Sequence, residues 1–284
     1  MAKPMTKAEW VTAMTLWQVP VKYYPGWDTR GRDFVIPSLA FDDINGVVIH
    51  HTGSDAGQSD DYLKFLFVTG RPTDNIPGPL CHSAADMDGD LNMGAIGRAN
   101  HAGQGSSATL GHVVAEDYAG YQNELKPGAD NTDGNAHFYG CEVRYDGGQP
   151  MTPKQYQAAL RWAAAICHHY GWSALSVIGH REWTTRKNDP GSCPMTKFRS
   201  DVAALLKAGP PKTTTDTGDD MPYTETQLRA MMQAEIEEYM TRFWVSPTGT
   251  GTGIRKQLDA IQAAVNADLA VDQQDLAADE PPTV

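Results

Sequence analysis

Two adjacent histidines, His50 and His51, follow the β-branched run Val47–Ile49 in "VVIHHTGS". Imidazole at the end of a buried strand is costly unless the ring finds a hydrogen-bond partner or an ion. A second apolar run, "ALSVIGH", closes on His180, and "GHREWTTRKNDPGSCP" then offers Lys187, Asp189 and Cys193 in quick succession. A hydrolytic zinc site needs three protein ligands drawn from His, Cys and Asp/Glu, plus an open position for water. His50 and His180 supply two, and Asp189 and Cys193 are both within reach as a third. No H-E-x-x-H stands in the chain, so a helix-borne zinc protease arrangement is excluded and the ligands must come from distant segments.

The elements that must position these residues are legible. "INGVVIH" (44–50) reads as a fully buried strand, and "AHFYGCEVRY" (136–145) as a second strand with partial alternation. Thr152 caps a helix that runs to Tyr170, with Pro153 at its first position, Gln155 completing a capping box and Gly171 as its stop. Tyr156, Leu160, Ala163 and Cys167 form its core-facing stripe. "ALSVIGH" (174–180) is a further short strand. This order predicts an α/β fold with a mixed central β-sheet flanked by helices, and in such sheets sites gather where strands end.

Composition sets the bounds. The chain has 284 residues, 40% hydrophobic and 20% charged, as in a soluble globular protein. No apolar run approaches the roughly 20 residues that span a bilayer, so no membrane insertion is expected. The start lacks the pattern of a secretory signal peptide, which predicts synthesis and residence in a cytoplasm. Four widely spaced cysteines, Cys81, Cys141, Cys167 and Cys193, are expected as free thiols. The net charge of -12 argues against a general nucleic-acid binder.

That charge is uneven: residues from Pro210 onward carry 5 Lys/Arg against 13 Asp/Glu, a net of -8, leaving -4 for residues 1–209. The break falls at the Pro/Gly/Thr-rich segment 209–222, read as a linker. Beyond it, two helical stripes predict a small two-helix hairpin module over 223–272, with a disordered tail at 273–284. So thin a core is expected to dock or to pair between chains, giving a homo-oligomer. The aromatic-rich residues 1–42 are expected as an extension packed on the core.

From Asp43 to Leu206 the chain resembles the type 2 N-acetylmuramoyl-L-alanine amidases, the family shared with peptidoglycan recognition proteins. "VVIHHT" resembles the first ligand strand. "CHSAADMDGDLNMGAIGRANHAG" (81–103) is similar to a strand, a D-x-D-G turn and a closing H-A-G. "YGCEV" (139–143) stands where a glutamate faces the metal, and "GHREW" with "KNDPG" resembles the second histidine and the third-ligand element. The resemblance implies a zinc ion held by His50, His180 and Asp189, with Cys193 as the competing third ligand and His51 turned to the opposite face. It implies Glu142 as general base and acid, and Lys187 as the charge that meets the oxyanion.

His101 is a candidate substrate-groove residue. Cys81 stands where many relatives carry a tyrosine near the reacting water, and is grouped with the substrate-binding candidates. Residues 112–135 are expected as a rim loop. The expected activity is zinc-dependent cleavage of the amide between N-acetylmuramic acid and L-alanine in bacterial peptidoglycan, as a phage endolysin held in the host cytoplasm until the membrane is permeabilised. A cytosolic muropeptide-recycling amidase and a non-catalytic peptidoglycan-binding module are the alternatives.

Overall fold

The computed structural model describes residues 2–41, 43–53, 59–118 and 124–211. The chain divides into two units, Met1–Thr213 and Thr214–Val284. The second lies outside the described residues, and with it the expected helical pair at 223–272 and the tail at 273–284.

The strands are β1 (Val21–Tyr23), β2 (Gly46–His51), β3 (Ser83–Ala85), β4 (Leu91–Met93), β5 (Gln104–Ser106), β6 (Asp130–Asp133), β7 (Phe138–Val143) and β8 (Val177–Gly179). The helices are α1 (Lys7–Leu16), α2 (Arg32–Val35), α3 (Asp60–Lys64), α4 (Ser107–Ala115), α5 (Pro153–Tyr170), α6 (His180–Trp183) and α7 (Met195–Ala208). Six strands form a mixed sheet in the order β1-β4-β3-β7-β2-β8, in which only β3 and β4 run antiparallel. β5 and β6 pair separately.

Alternation on the two central strands sorts the side chains. Val47 and Ile49 of β2, with Tyr139, Cys141 and Val143 of β7, face a core shared with α1, α5 and α7. Val48 and Phe138 face the other way, onto Val113, Ile178 and Trp183. The parallel register sets Val48 beside Gly140 and His50 beside Glu142. His50 and Glu142 therefore leave the sheet side by side on one face, while His51 goes to the other.

The flanking elements follow from their sequences. On α5 the Thr152 hydroxyl accepts from the Gln155 amide at 3.2 Å and the Gln155 side chain accepts from the Thr152 amide at 3.0 Å, so the capping box is formed. Gly171 ends the helix at φ +71°, a left-handed conformation that glycine adopts without strain. Trp10 and Trp17 of the N-terminal segment are buried in the main core with Met5 and Met14, and the Trp10 ring meets Tyr139 edge-on at 4.9 Å. The aromatic extension is part of the core. All four cysteines are free and buried.

Two expectations are corrected. Residues 112–135 do not form one rim loop: His112 lies inside α4, and Asp130–Asp133 pairs with β5 as a strand. The pattern missed this pairing because a strand reading "DNTD" has no apolar alternation. His180 does not end a strand; it opens α6, one residue beyond β8.

Candidate metal centre and active site

His50 leaves the end of β2, His180 opens α6 and Asp189 follows in the loop before α7, and the three meet. His50 Nδ1 lies 2.9 Å from Asp189 Oδ2 and 3.0 Å from His180 Nδ1, and His180 Nδ1 lies 3.0 Å from the same Asp189 oxygen. All three residues are buried. Among the described residues this is the one group of at least three His, Cys, Asp or Glu that could hold a metal ion.

The proton inventory tests whether the group fits a cation. His180 Nε2 lies 3.0 Å from the Ala102 carbonyl, which only accepts, so in the neutral ring that nitrogen carries the hydrogen and Nδ1 offers its electron pair. His101 Nε2 likewise donates to the Phe138 carbonyl at 2.9 Å. Burial, then the neighbouring His50 and His82 rings, hold His101 well below the usual imidazole range, so its Nδ1 is an acceptor. It lies 3.0 Å from His50 Nε2, which must therefore donate and leave His50 Nδ1 bare. Burial, and after it the His180 ring, push His50 down to about 4, against the pull of Asp189.

Burial alone would raise the Asp189 carboxyl. Its contacts with His180 and His50 outweigh that and hold it well below the usual carboxylate range. Three proton-free electron pairs thus converge at about 3 Å, an arrangement that repels itself unless a cation sits among them. Bonds of about 2.0–2.1 Å in a tetrahedral zinc site space its donors about 3.3 Å apart, close to what is found, and two nitrogens with one carboxylate oxygen suit zinc chemically.

The cluster forms one end of a cavity of about 200 Å³ lined also by Glu142, Lys187, Tyr62 and Arg71. Glu142 Oε2 is buried with no hydrogen-bond partner among the described residues. Burial, and secondarily the Asp189 charge, raise its carboxyl to about 8, with Lys187 and Arg71 pulling the other way. A carboxyl so poised can both take and return a proton near neutral pH. Lys187 is exposed at the cavity mouth.

A model described as N-acetylmuramoyl-L-alanine amidase matches residues 40–192, more than half of the chain. The chain belongs to that family. No curated protein matches it. Solved structures similar to this amidase include the endolysin N-acetylmuramoyl-L-alanine amidase LysCS from Clostridium intestinale, at 15% identity over 56% of this chain and 84% of that one, TM-score 0.38. The Ph2119 endolysin from a Thermus scotoductus bacteriophage matches at 14% over 64% and 98%, TM-score 0.38. AmpD from Citrobacter freundii matches at 19% over 70% and 97%, TM-score 0.37.

The amidase brings His50, His180, Asp189, Glu142 and Lys187 to one cavity. Cys193 stands apart from the cluster: it is buried, burial pushes its thiol up to about 11, and its carbonyl accepts from Arg181 at 2.7 Å. His51 turns towards Tyr145, the rings meeting edge-on at 5.5 Å. Of the two substrate-groove candidates, His101 lines the cavity and Cys81 does not. His101 is buried behind His50 with both ring nitrogens engaged. Cys81 has no exposed surface and packs with Leu63, Leu66, Phe67 and Leu80.

Tyr62, Arg71 and Asn100 on the cavity wall, and Asn135 behind it, were not singled out by sequence. Tyr62 comes from the short helix α3 and Arg71 from a turn, and only the closed fold brings these residues near the histidines.

Proposed function

We infer that the chain is a zinc-dependent peptidoglycan hydrolase that cleaves the amide between N-acetylmuramic acid and L-alanine. The observation that carries this reading is the convergence of two imidazole nitrogens and a carboxylate oxygen beside a half-buried glutamate whose Oε2 has no hydrogen-bond partner among the described residues, in a chain of the amidase family. His50 Nδ1, His180 Nδ1 and Asp189 Oδ2 would hold the ion. Zinc bound there would polarise the amide carbonyl and make water a stronger acid.

The remaining work belongs to the chain. Glu142 accepts the proton that the attacking water gives up and passes it to the alanine nitrogen as the carbon–nitrogen bond breaks, leaving a muramyl carboxylate and a free amine. Lys187 offers a fixed positive charge at the cavity mouth to the oxygen that becomes negative during attack. Bacterial peptidoglycan is the partner this chemistry requires.

The finer reading is a phage endolysin. It is supported by the second unit, Thr214–Val284, which follows the amidase unit and for which an enzyme recycling small soluble muropeptides has little need. Zinc content measured with clearing of purified cell walls tests both levels. We expect about one zinc per chain, wall clearing, and loss of both on chelation with restoration by zinc. Clearing by a demonstrably zinc-free preparation would remove the metal from the reading. Hydrolysis of soluble muropeptides without wall clearing would favour the recycling role.

A further inference from the structure

We propose that Asn135 is a positioning residue for the metal centre: through one turn, His101–Gly103, it fixes which ring nitrogen of both His50 and His180 carries the proton. The proposal rests on reading His50, His180 and Asp189 as the metal ligands.

Asn135 Oδ1 accepts three consecutive backbone N–H groups, from His101 at 2.9 Å, Ala102 at 2.8 Å and Gly103 at 3.0 Å. Three donors converging on one atom identify it as the carboxamide oxygen and fix the orientation of the whole turn. With its amides gathered on Asn135, the turn presents its acceptors to the two histidines. The Ala102 carbonyl accepts from His180 Nε2, and the His101 ring, whose far nitrogen meets the Phe138 carbonyl, stands 3.0 Å from His50 Nε2, where its neutral form is the acceptor.

The His101 ring is held in turn. Its far nitrogen donates to the Phe138 carbonyl, and its near nitrogen sits where β7 leaves room: a Cβ on Gly140 would lie 2.4 Å from it. Gly140 in "YGCEV" is therefore required by the approach of this ring. Asn135 itself is anchored by its own amide, which donates to Asp133 Oδ1 at 3.1 Å, and Asp133 pairs with Arg98. One carboxamide thus orients both imidazoles without touching either, and it lies outside the residues that line the cavity.

The geometry makes an asymmetric prediction that a general packing role does not. Asn135→Ala frees the whole turn, so both histidines should lose their single tautomer. His101→Phe keeps a ring in place and removes the acceptor for His50 together with the bond to the Phe138 carbonyl, while the Ala102 carbonyl still meets His180, so His50 alone should change. Asn135→Asp keeps the acceptor oxygen and should preserve both. The readouts are ring ¹⁵N chemical shifts of His50 and His180 in metal-free protein, zinc affinity by chelator competition, and circular dichroism for the fold.

For Asn135→Ala we expect mixed tautomers at both rings and zinc affinity lower by about 10- to 100-fold, the usual effect of removing groups that orient metal ligands. Asn135→Asp should stay close to the parent chain in both. Should Asn135→Ala fail to fold, His101→Phe and Asn135→Asp decide. A folded Asn135→Ala with unchanged tautomers and zinc affinity overturns the proposal, as does His101→Phe altering both rings or neither. If the parent chain binds no zinc while the tautomers follow the expected pattern, the metal reading fails and the role of the turn stands.

Discussion

At the scale of single residues, the tautomers decide what the cluster can do. Nδ1 of His50 and of His180 face each other and Asp189 because each Nε2 is committed elsewhere. His50→Ala, His180→Ala and Asp189→Ala should each abolish stoichiometric zinc by metal analysis, whereas Cys193→Ser should retain it. Zinc lost from Cys193→Ser and kept by Asp189→Ala would reassign the third ligand. Glu142→Gln should keep zinc and lower turnover by about 100-fold or more; a near-normal rate would move the proton transfer to another group.

Glu142 also gives a pH prediction for the metal-free protein. Folding raises its carboxyl from 4.5 to about 8, so between those values the folded chain holds a proton that the unfolded chain has released. This contribution is fully present below about pH 4.5 and is lost as pH rises through 8. Urea unfolding at pH 5 and pH 8 should show Glu142→Gln gaining on the parent chain by a few kcal/mol at the higher pH. An equal difference between the two proteins at both pH values would contradict the burial argument.

At the scale of elements, helix ends and one buried ion pair hold the site in place. Thr152 caps α5 and also donates to the Met87 carbonyl at 2.9 Å, so Thr152→Ala should cost about 1 kcal/mol in denaturant unfolding. Glu182, two residues after His180, accepts from Arg199 at 2.8 and 3.0 Å, from the Gly179 amide at 2.9 Å and from the Leu125 amide at 2.7 Å. These bonds tie β8 and α6 to α7. Arg199→Met strands a fully buried carboxylate and should destabilise by about 3–5 kcal/mol, with weaker zinc binding because His180 is carried by the same turn. A loss under about 1 kcal/mol would mean that the pair contributes little.

At the scale of the whole molecule, the described unit holds the complete metal cluster, the cavity and the main core within Met1–Thr213. A chain ending at Thr213 should therefore keep its zinc and hydrolyse small soluble muropeptides at close to the parent rate, while its activity on intact walls or its oligomeric state changes. Sedimentation and wall clearing, compared between the two chains, measure this. Identical behaviour in both would leave the C-terminal unit without either role, and loss of zinc on truncation would show that the first unit does not stand alone. The acidic charge of that unit gives it no attraction to anionic wall polymers, which makes association a better expectation than charge-driven binding.

The sequence by itself determined the elements whose cues are local and pointed to the candidate ligands that follow them. β2 and β7 declare themselves as apolar runs, α5 through its cap, stripe and stop, and His50, His180 and Asp189 through motif context, because each signal lies within a few residues. What only the tertiary structure decided is non-local. The register that seats His50 beside Glu142 is set by two strands ninety residues apart in the chain. Strand β6, polar throughout, has no periodicity to read and exists through its pairing with β5. Cys81 read as a groove residue because residue type reveals nothing of depth, and closure of the fold put it inside, while His101 reached the cavity wall. Asn135 carries no motif at all: its part in the site arises from three backbone amides that reach its oxygen only when the chain is folded.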